Sequence, residues 1–190
     1  DKECSECGKC LDNATDILAL PPSPPPSPPA PPPLPWGSDF YERWQALEAT
    51  QPWEDSARPT VAMLEWPDPP WFGGHWVPEQ VAVAGGRALF GTPGARSDRL
   101  GWDQLADADP DLLVGVACGY DVARNLEQLR ALRREPRFAS LRAVRAGRVW
   151  AADANSMFSR PGPRIVEGAE LLRAILVGQE VDPRAAVRAT

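Results

Sequence analysis

A single histidine, His75, and four cysteines in 190 residues leave little material for acid–base or nucleophilic chemistry. No Gly-x-Ser-x-Gly, P-loop or Gly-x-Gly-x-x-Gly occurs, so hydrolase, kinase and dehydrogenase readings lose the turns that hold a nucleophile or a phosphate. No run reaches the eighteen or so apolar residues of a membrane-spanning helix. Basic charge is also short: 20 Lys and Arg stand against 26 Asp and Glu, a net charge of −6, which argues against a nucleic-acid surface. Arginines gather between Arg124 and Arg148, but they are interleaved with leucines and read as a solvated helix face. Asp107, Asp109 and Asp111 alternate without the glycine turn and distal glutamate of a calcium loop, which leaves ordinary loop and cap roles. The chain opens at Asp1 without methionine or a signal-like apolar stretch, as a processed or partial chain does.

The 43% hydrophobic content supports one ordinary domain with appendages. Residues 1–20 hold Cys4, Cys7 and Cys10, followed by Asn13-Ala14-Thr15, an N-glycosylation pattern in a secreted protein. Cys-x-x-Cys-x-x-Cys is half of a zinc or iron–sulfur site, because thiolates on adjacent turns converge on one metal. With no fourth ligand nearby, disulfide pairing fits as well. Cys118 is expected as a buried strand-end thiol. Residues 21–36 form a proline string, PPSPPPSPPAPPPLP and Trp36, with few donors and fixed φ. It favours polyproline II, and fifteen residues at about 3.1 Å each span roughly 45 Å. In composition it resembles the extensin-like linkers of plant and green-algal surface proteins.

Beyond the string, Gly37-Ser38-Asp39 starts a helix within residues 37–55, with Phe40, Tyr41, Trp44 and Leu47 at helical spacing. A buried strand over Val61–Leu64, a helix over 77–84 and a short strand at Ala88–Phe90 come next. A polar loop over 91–101, a helix from Trp102 to Ala106 and an apolar strand over Leu112–Ala117 follow. Asp121 caps a helix to about Arg134, Val149–Ala152 is a strand, and Pro163 starts a closing helix that stops at Gly178. Strand and helix alternate over 59–180, so the fold class is α/β, a single Rossmann-like three-layer lobe; residues 181–190 read as a tail.

Residues 60–79, TVAMLEWPDPPWFGGHWVPE, are the most specific stretch. Trp66, Trp71, Phe72 and Trp76 are set among prolines that stiffen the path and the Gly73-Gly74 pair that permits a turn. Rigid aromatics past the carboxyl end of a strand suit an α/β ligand crevice; the alternative is a loop folded over its own core. The stretch resembles the start of the C-terminal lobe of cobalamin-binding periplasmic proteins, the substrate-binding components of importers related to the ferric-siderophore binders. The likeness continues through Ala84-Gly85-Gly86, Trp102-Asp103-Gln104, Ala108–Val114, Ala117–Tyr120, Arg145–Trp150 and Phe158–Ile165, about residues 59–178 in all.

The resemblance implies a class III periplasmic-binding-protein lobe, not an enzyme, that takes a corrinoid or similar metal chelate. It implies ligand contacts from Trp66, Trp71, Phe72, His75, Trp76, Ser97, Phe158 and Ser159, with His75 able to approach cobalt. It places Asp103 where the family presents a carboxylate to arginines of an ABC transporter permease, one methylene shorter here. It implies an extracytoplasmic location: periplasm, cell surface or secreted, with a plant or algal organelle as the alternative. In the family a long helix joins two lobes, and the helix within 37–55 reads as a possible remnant of it. No N-terminal lobe pattern precedes residue 37, which leaves four alternatives open: a partner chain that supplies the second lobe, dimerisation, weak binding, or a structural module. Two other readings stay open: an interaction module that lost transport, and a metal or redox protein built on the cysteine cluster.

Overall fold

The computed structural model describes residues 39–189; the cysteine cluster and the proline string lie outside the described residues. A first helix, α1 (Asp39–Ala49), turns Phe40, Arg43, Trp44 and Leu47 toward the lobe and leaves Tyr41 outside, 57% exposed. A short 3₁₀ turn, Asp55–Ala57, leads into β1 (Thr60–Pro67). Val61, Ala62, Met63 and Leu64 are buried on both faces of β1, which is why the strand reads as continuous apolar sequence.

The strand does not stop at Leu64 as the sequence reading has it. It runs on to Pro67 and turns back through β2 (Pro70–Phe72), pairing Trp66 with Trp71 and Pro67 with Pro70. Prolines are tolerated there because this end of the hairpin leaves the ladder, where a missing N–H costs little. The chain continues through α2 (Val77–Val83), β3 (Arg87–Ala88), β4 (Asp98–Arg99), α3 (Trp102–Ala108) and β5 (Leu112–Gly115). It then forms α4 (Val122–Leu132), α5 (Pro136–Ala139), α6 (Arg142–Arg145), β6 (Val149–Ala152), α7 (Ala154–Met157), α8 (Ile165–Val177) and β7 (Ala186–Arg188).

Among the described residues seven strands make one sheet in the order β4-β2-β1-β5-β6-β7, with β3 also pairing with β1. β1, β3, β5 and β6 run parallel, and β2, β4 and β7 add antiparallel edges. Side chains alternate between two cores. Val61, Met63, Leu112 and Val114 pack under α2 and α8, whereas Ala62, Leu64, Leu113 and Val149 pack under α3 to α6. The result is helix, sheet, helix: the expected three-layer α/β lobe.

Two segments correct the sequence reading. Residues 181–190, read as a tail, contain β7, whose Ala186 fills the core and whose Arg188 guanidinium lies 5.2 Å from the Trp150 ring centre. Three residues are too few to show a period of two. Residues 136–145, which carried no assigned element, form α5 and α6, driven by Phe138 and Leu141, each 1% exposed.

Helix ends follow their chemistry. Asp121 Oδ1 accepts from the Arg124 amide at 2.9 Å, and Gly178 closes α8 with φ of 75°. Arg173, on α8, gathers the free carbonyls of two helix ends. Its guanidinium donates to Leu47 O (2.8 Å), Thr50 O (2.7 Å), Val83 O (3.0 Å) and Ala84 O (2.6 Å). A cation there meets the negative ends of α1 and α2 together. Arg43 also bonds Glu170, at 2.8 Å through Nε, so α1 is fastened to α8 at two points.

Candidate ligand-binding site

The carboxyl ends of β1, β5 and β6 open on one side of the sheet, and the loops leaving them carry most of the aromatic and hydroxyl groups singled out above. A depression of about 420 Å³ there is lined by Glu65, Trp66, Trp71, Ser97 and Cys118. A second, of about 220 Å³, is lined by Glu65, His75, Trp76, Cys118, Phe158 and Ser159, with Gly74 and Val77. Glu65 and Cys118 line both, so the two are parts of one trough. Depressions of similar size elsewhere, such as that beside α7 and α8, are lined by charges already paired, Arg164 with Glu167 and Arg184 with Asp182.

The two tryptophans of the hairpin form the outer wall. Cross-strand pairing sets Trp66 beside Trp71, and they remain 39% and 38% exposed. Tyr120 backs Trp66, ring centres 5.6 Å apart, and the Arg124 guanidinium lies 4.2 Å from the Tyr120 centre. Large rings with two side-chain torsions lose little entropy when a ligand docks.

Close backbone packing holds the inner wall. Gly74 donates to Ser97 Oγ at 3.3 Å, and His75 N donates to Ala95 O at 2.6 Å, tying the loop after β2 to the loop before β4. A Cβ on Gly74 would sit 2.5 Å from the Arg96 carbonyl carbon, so no larger residue fits. His75 takes φ of 56°, which turns its exposed imidazole beside the Trp76 ring, centres 5.7 Å apart. Trp76 donates its indole N–H to Phe158 O at 3.0 Å. Gln80, fully buried, donates to Met157 O at 3.0 Å and Ile165 O at 2.8 Å. These bonds fix the segment that carries Ser159, whose Oγ accepts from Gly119 N at 3.2 Å. Asn125, 2% exposed, accepts from Ala117 N at 2.9 Å and donates to Ala152 O at 2.8 Å, locking the ends of β5 and β6 together.

The structure brings Trp66, Trp71, His75, Trp76, Ser97, Phe158 and Ser159 to the trough, and corrects three expectations. Phe72 is 1% exposed with its ring 4.5 Å from Phe90, because alternation along β2 points it into the core and Trp71 outward. It does not face a ligand. Phe158 is 4% exposed; its carbonyl is engaged by Trp76 and its ring belongs to the core cluster, so it offers an edge rather than a wall. Cys118, expected to be buried, is exposed at the trough, one residue past the buried Ala117. Asp103 lines neither part of the trough; it stands in the first turn of α3, 79% exposed, with its carboxylate 2.5 Å from Arg137 Nε.

Glu65 escaped the sequence reading. Its Oε2 is shielded from solvent and has no hydrogen-bond partner among the described residues, an arrangement that costs about 1–3 kcal/mol wherever it is left unmet. The signal that exposes it is the register of β2, which no residue pattern in β1 reveals. No Arg or Lys is among the residues lining either part of the trough.

No family model and no curated protein matches the sequence. Solved structures do match. An ABC transporter substrate-binding protein from Listeria monocytogenes superposes with a TM-score of 0.64 at 16% identity, covering 75% of this chain and 55% of that one. A periplasmic vitamin B12 binding protein of Vibrio cholerae gives 0.55 at 22% identity, over 73% and 51%. A periplasmic heme binding protein of Pseudomonas aeruginosa gives 0.54 at 21%, over 77% and 52%. The chain thus spans about half the length of the structures it matches. At these identities the likeness establishes the fold: one lobe of the periplasmic-binding-protein type.

Proposed function

We propose that the chain is the ligand-contacting lobe of a substrate-binding module for ABC-type uptake, taking a corrinoid or a related broad metal chelate. The observation that carries this is the trough at the strand ends: two half-exposed tryptophans face a floor of hydroxyl, thiol and imidazole groups held by backbone bonds. A macrocyclic chelate is a wide, largely apolar disc with a polar rim, and that wall and floor suit it. In this reading Trp66 and Trp71 stack on the disc, Ser97 and Ser159 give hydroxyl protons to its rim, and His75 lies where an axial position would come. Phe158 closes the bottom edge, and the lobe is the C-terminal one. Binding, not catalysis, is its work.

The trough is one wall of a cleft, and a second lobe, from a partner chain or another part of the same protein, forms the other. Asp103 is the proposed docking carboxylate for a transporter permease, released from Arg137 on contact. The location proposed is extracytoplasmic. Support for these points is the fold of the structural relatives, two of which are named for vitamin B12 and heme.

Tryptophan-fluorescence titration of the full chain with cyanocobalamin, corrected for absorption with free tryptophan, tests the reading. Saturable quenching at micromolar concentration or below is expected, weakened about tenfold or more in Trp71→Ala, as loss of a stacking ring worth ~1–3 kcal/mol predicts. No saturable quenching up to high micromolar sinks the corrinoid assignment.

A further inference from the structure

Glu65 sits where the regular ladder breaks. Leu64 pairs with Phe72 and Trp66 with Trp71, so two steps along β1 match one step along β2, and Glu65 is the extra residue of a bulge. On the other side, β1 pairs with β5 only as far as Leu64 opposite Gly115. Glu65 is therefore the first residue beyond the parallel ladder and outside the antiparallel one. Bulges of this kind re-aim a side chain at the edge of a functional site. Here the result is a carboxylate shared by both parts of the trough, with Oε2 shielded and lacking any donor.

None of the hydroxyl, thiol or imidazole groups of the lining donates to that oxygen. Among the described residues no Arg or Lys lines the trough, and Glu65 forms no ion pair. Arg124 lies over Tyr120, one side chain removed from the wall, at 4.2 Å from that ring centre. A ligand rimmed with carboxylates would bring like charge against Glu65. A ligand carrying amide or ammonium N–H groups brings donors to a carboxylate that lines both parts of the trough, and a hydrogen bond to a carboxylate is among the stronger ones.

We propose that Glu65 sets the specificity of the trough, selecting chelates whose rim donates N–H and rejecting those whose rim is anionic. The inference rests on the trough being the ligand cleft. Rejection is as much a part of it as attraction, since discrimination is the difference between two affinities.

The test compares two corrinoids with the same disc and opposite rims: dicyanocobyrinic acid with seven free carboxylates, and its heptaamide. Ferrioxamine B, a hydroxamate chelate with a free ammonium group, is a third probe. Affinities are measured by equilibrium dialysis on the full chain, for wild type, Glu65→Gln and Glu65→Asp, with folding checked by circular dichroism. Wild type is expected to prefer the heptaamide by tenfold or more, and Glu65→Gln to cut that ratio about tenfold. Glu65→Asp keeps the charge, so most of the preference stays. A ratio unchanged within twofold in Glu65→Gln, or a wild type that prefers the carboxylate form, overturns the proposal while the corrinoid reading stands. Binding of ferrioxamine B alone, lost in Glu65→Gln, upholds Glu65 and removes the corrinoid. Absence of saturable binding to all three overturns both.

Discussion

Thr60 and Asp111 join the starts of the two central strands, and breaking that joint has a calculable effect. Asp111 Oδ2 accepts from Thr60 N at 2.8 Å and from Thr60 Oγ1 at 2.7 Å, and Thr60 Oγ1 in turn accepts from Asp111 N at 2.9 Å. Thr60 is 8% exposed, so the bonds form largely out of water. Hydrogen bonds to a charged acceptor contribute about 1.5–3 kcal/mol net, whereas the outer Arg142 pair to Asp111, at 3.0 Å and half open to solvent, adds less than about 1 kcal/mol. Asp111→Asn should therefore cost about 1.5–3 kcal/mol, or a Tm lower by about 3–12 °C for a domain of this size. Thr60→Val should cost about 1–2 kcal/mol, and the double variant less than the sum by about 1 kcal/mol, since the bond from the Thr60 hydroxyl to the carboxylate is weakened by one change and removed by the other.

The joint also carries a pH signature. Burial alone lifts the Asp111 carboxyl, but the Thr60 amide and hydroxyl, with Arg142 and Arg148 nearby, more than offset it and hold it below the usual 3.8. A group depressed in the folded state stabilises fully above its unfolded value and loses that contribution as pH falls through the folded one. The gap between wild type and Asp111→Asn should thus be flat from neutral pH down to about 5 and close as pH falls below 3.8. Thermal unfolding followed by circular dichroism from pH 7 to pH 3 measures both effects. Additive single variants, within about 0.3 kcal/mol, or a gap that widens in acid, would refute the reasoning.

Two further outcomes follow from the same geometry. Arg173→Met removes the charged donor that α1 and α2 share and leaves Leu47 O and Val83 O to Gln51 alone; it should cost about 2–4 kcal/mol and speed amide hydrogen exchange in α1 before the sheet, with Arg173→Lys recovering less than half. Iodoacetamide should alkylate Cys118 in the native protein, as peptide mass mapping reads, and saturating ligand should slow that alkylation at least fivefold; equal labelling with and without ligand argues that the trough is not where ligand binds.

What the sequence made legible was set by local chemistry. The caps at Asp121 and Gly178, the apolar runs of β1 and β5 and the helical face of α8 all follow from neighbours a few residues apart. The hairpin resisted because prolines at 67, 69 and 70 mimic a loop, while the pairing of Trp66 with Trp71 depends on a turn whose partner strand is three residues long. That pairing decides which aromatic faces out, so Trp71 and Phe72 were indistinguishable until β2 was placed. Glu65 depends on the same register. Phe138 and Leu141 announced their burial only by being apolar in an arginine-rich stretch, and β7 needed β6 beside it to exist.

The two borders of the sheet bear on how such lobes behave at high local density. One border is formed by the two-residue strands β4 and β3, where Asp98, Arg99 and Arg87 are exposed; the other is β7, three residues ending on an arginine held against Trp150. Neither gives a neighbouring molecule enough flat, uncharged backbone to extend the sheet by another strand. Copies crowded together on a surface would therefore not join edge to edge into one longer sheet, and the trough face stays the surface left for contact.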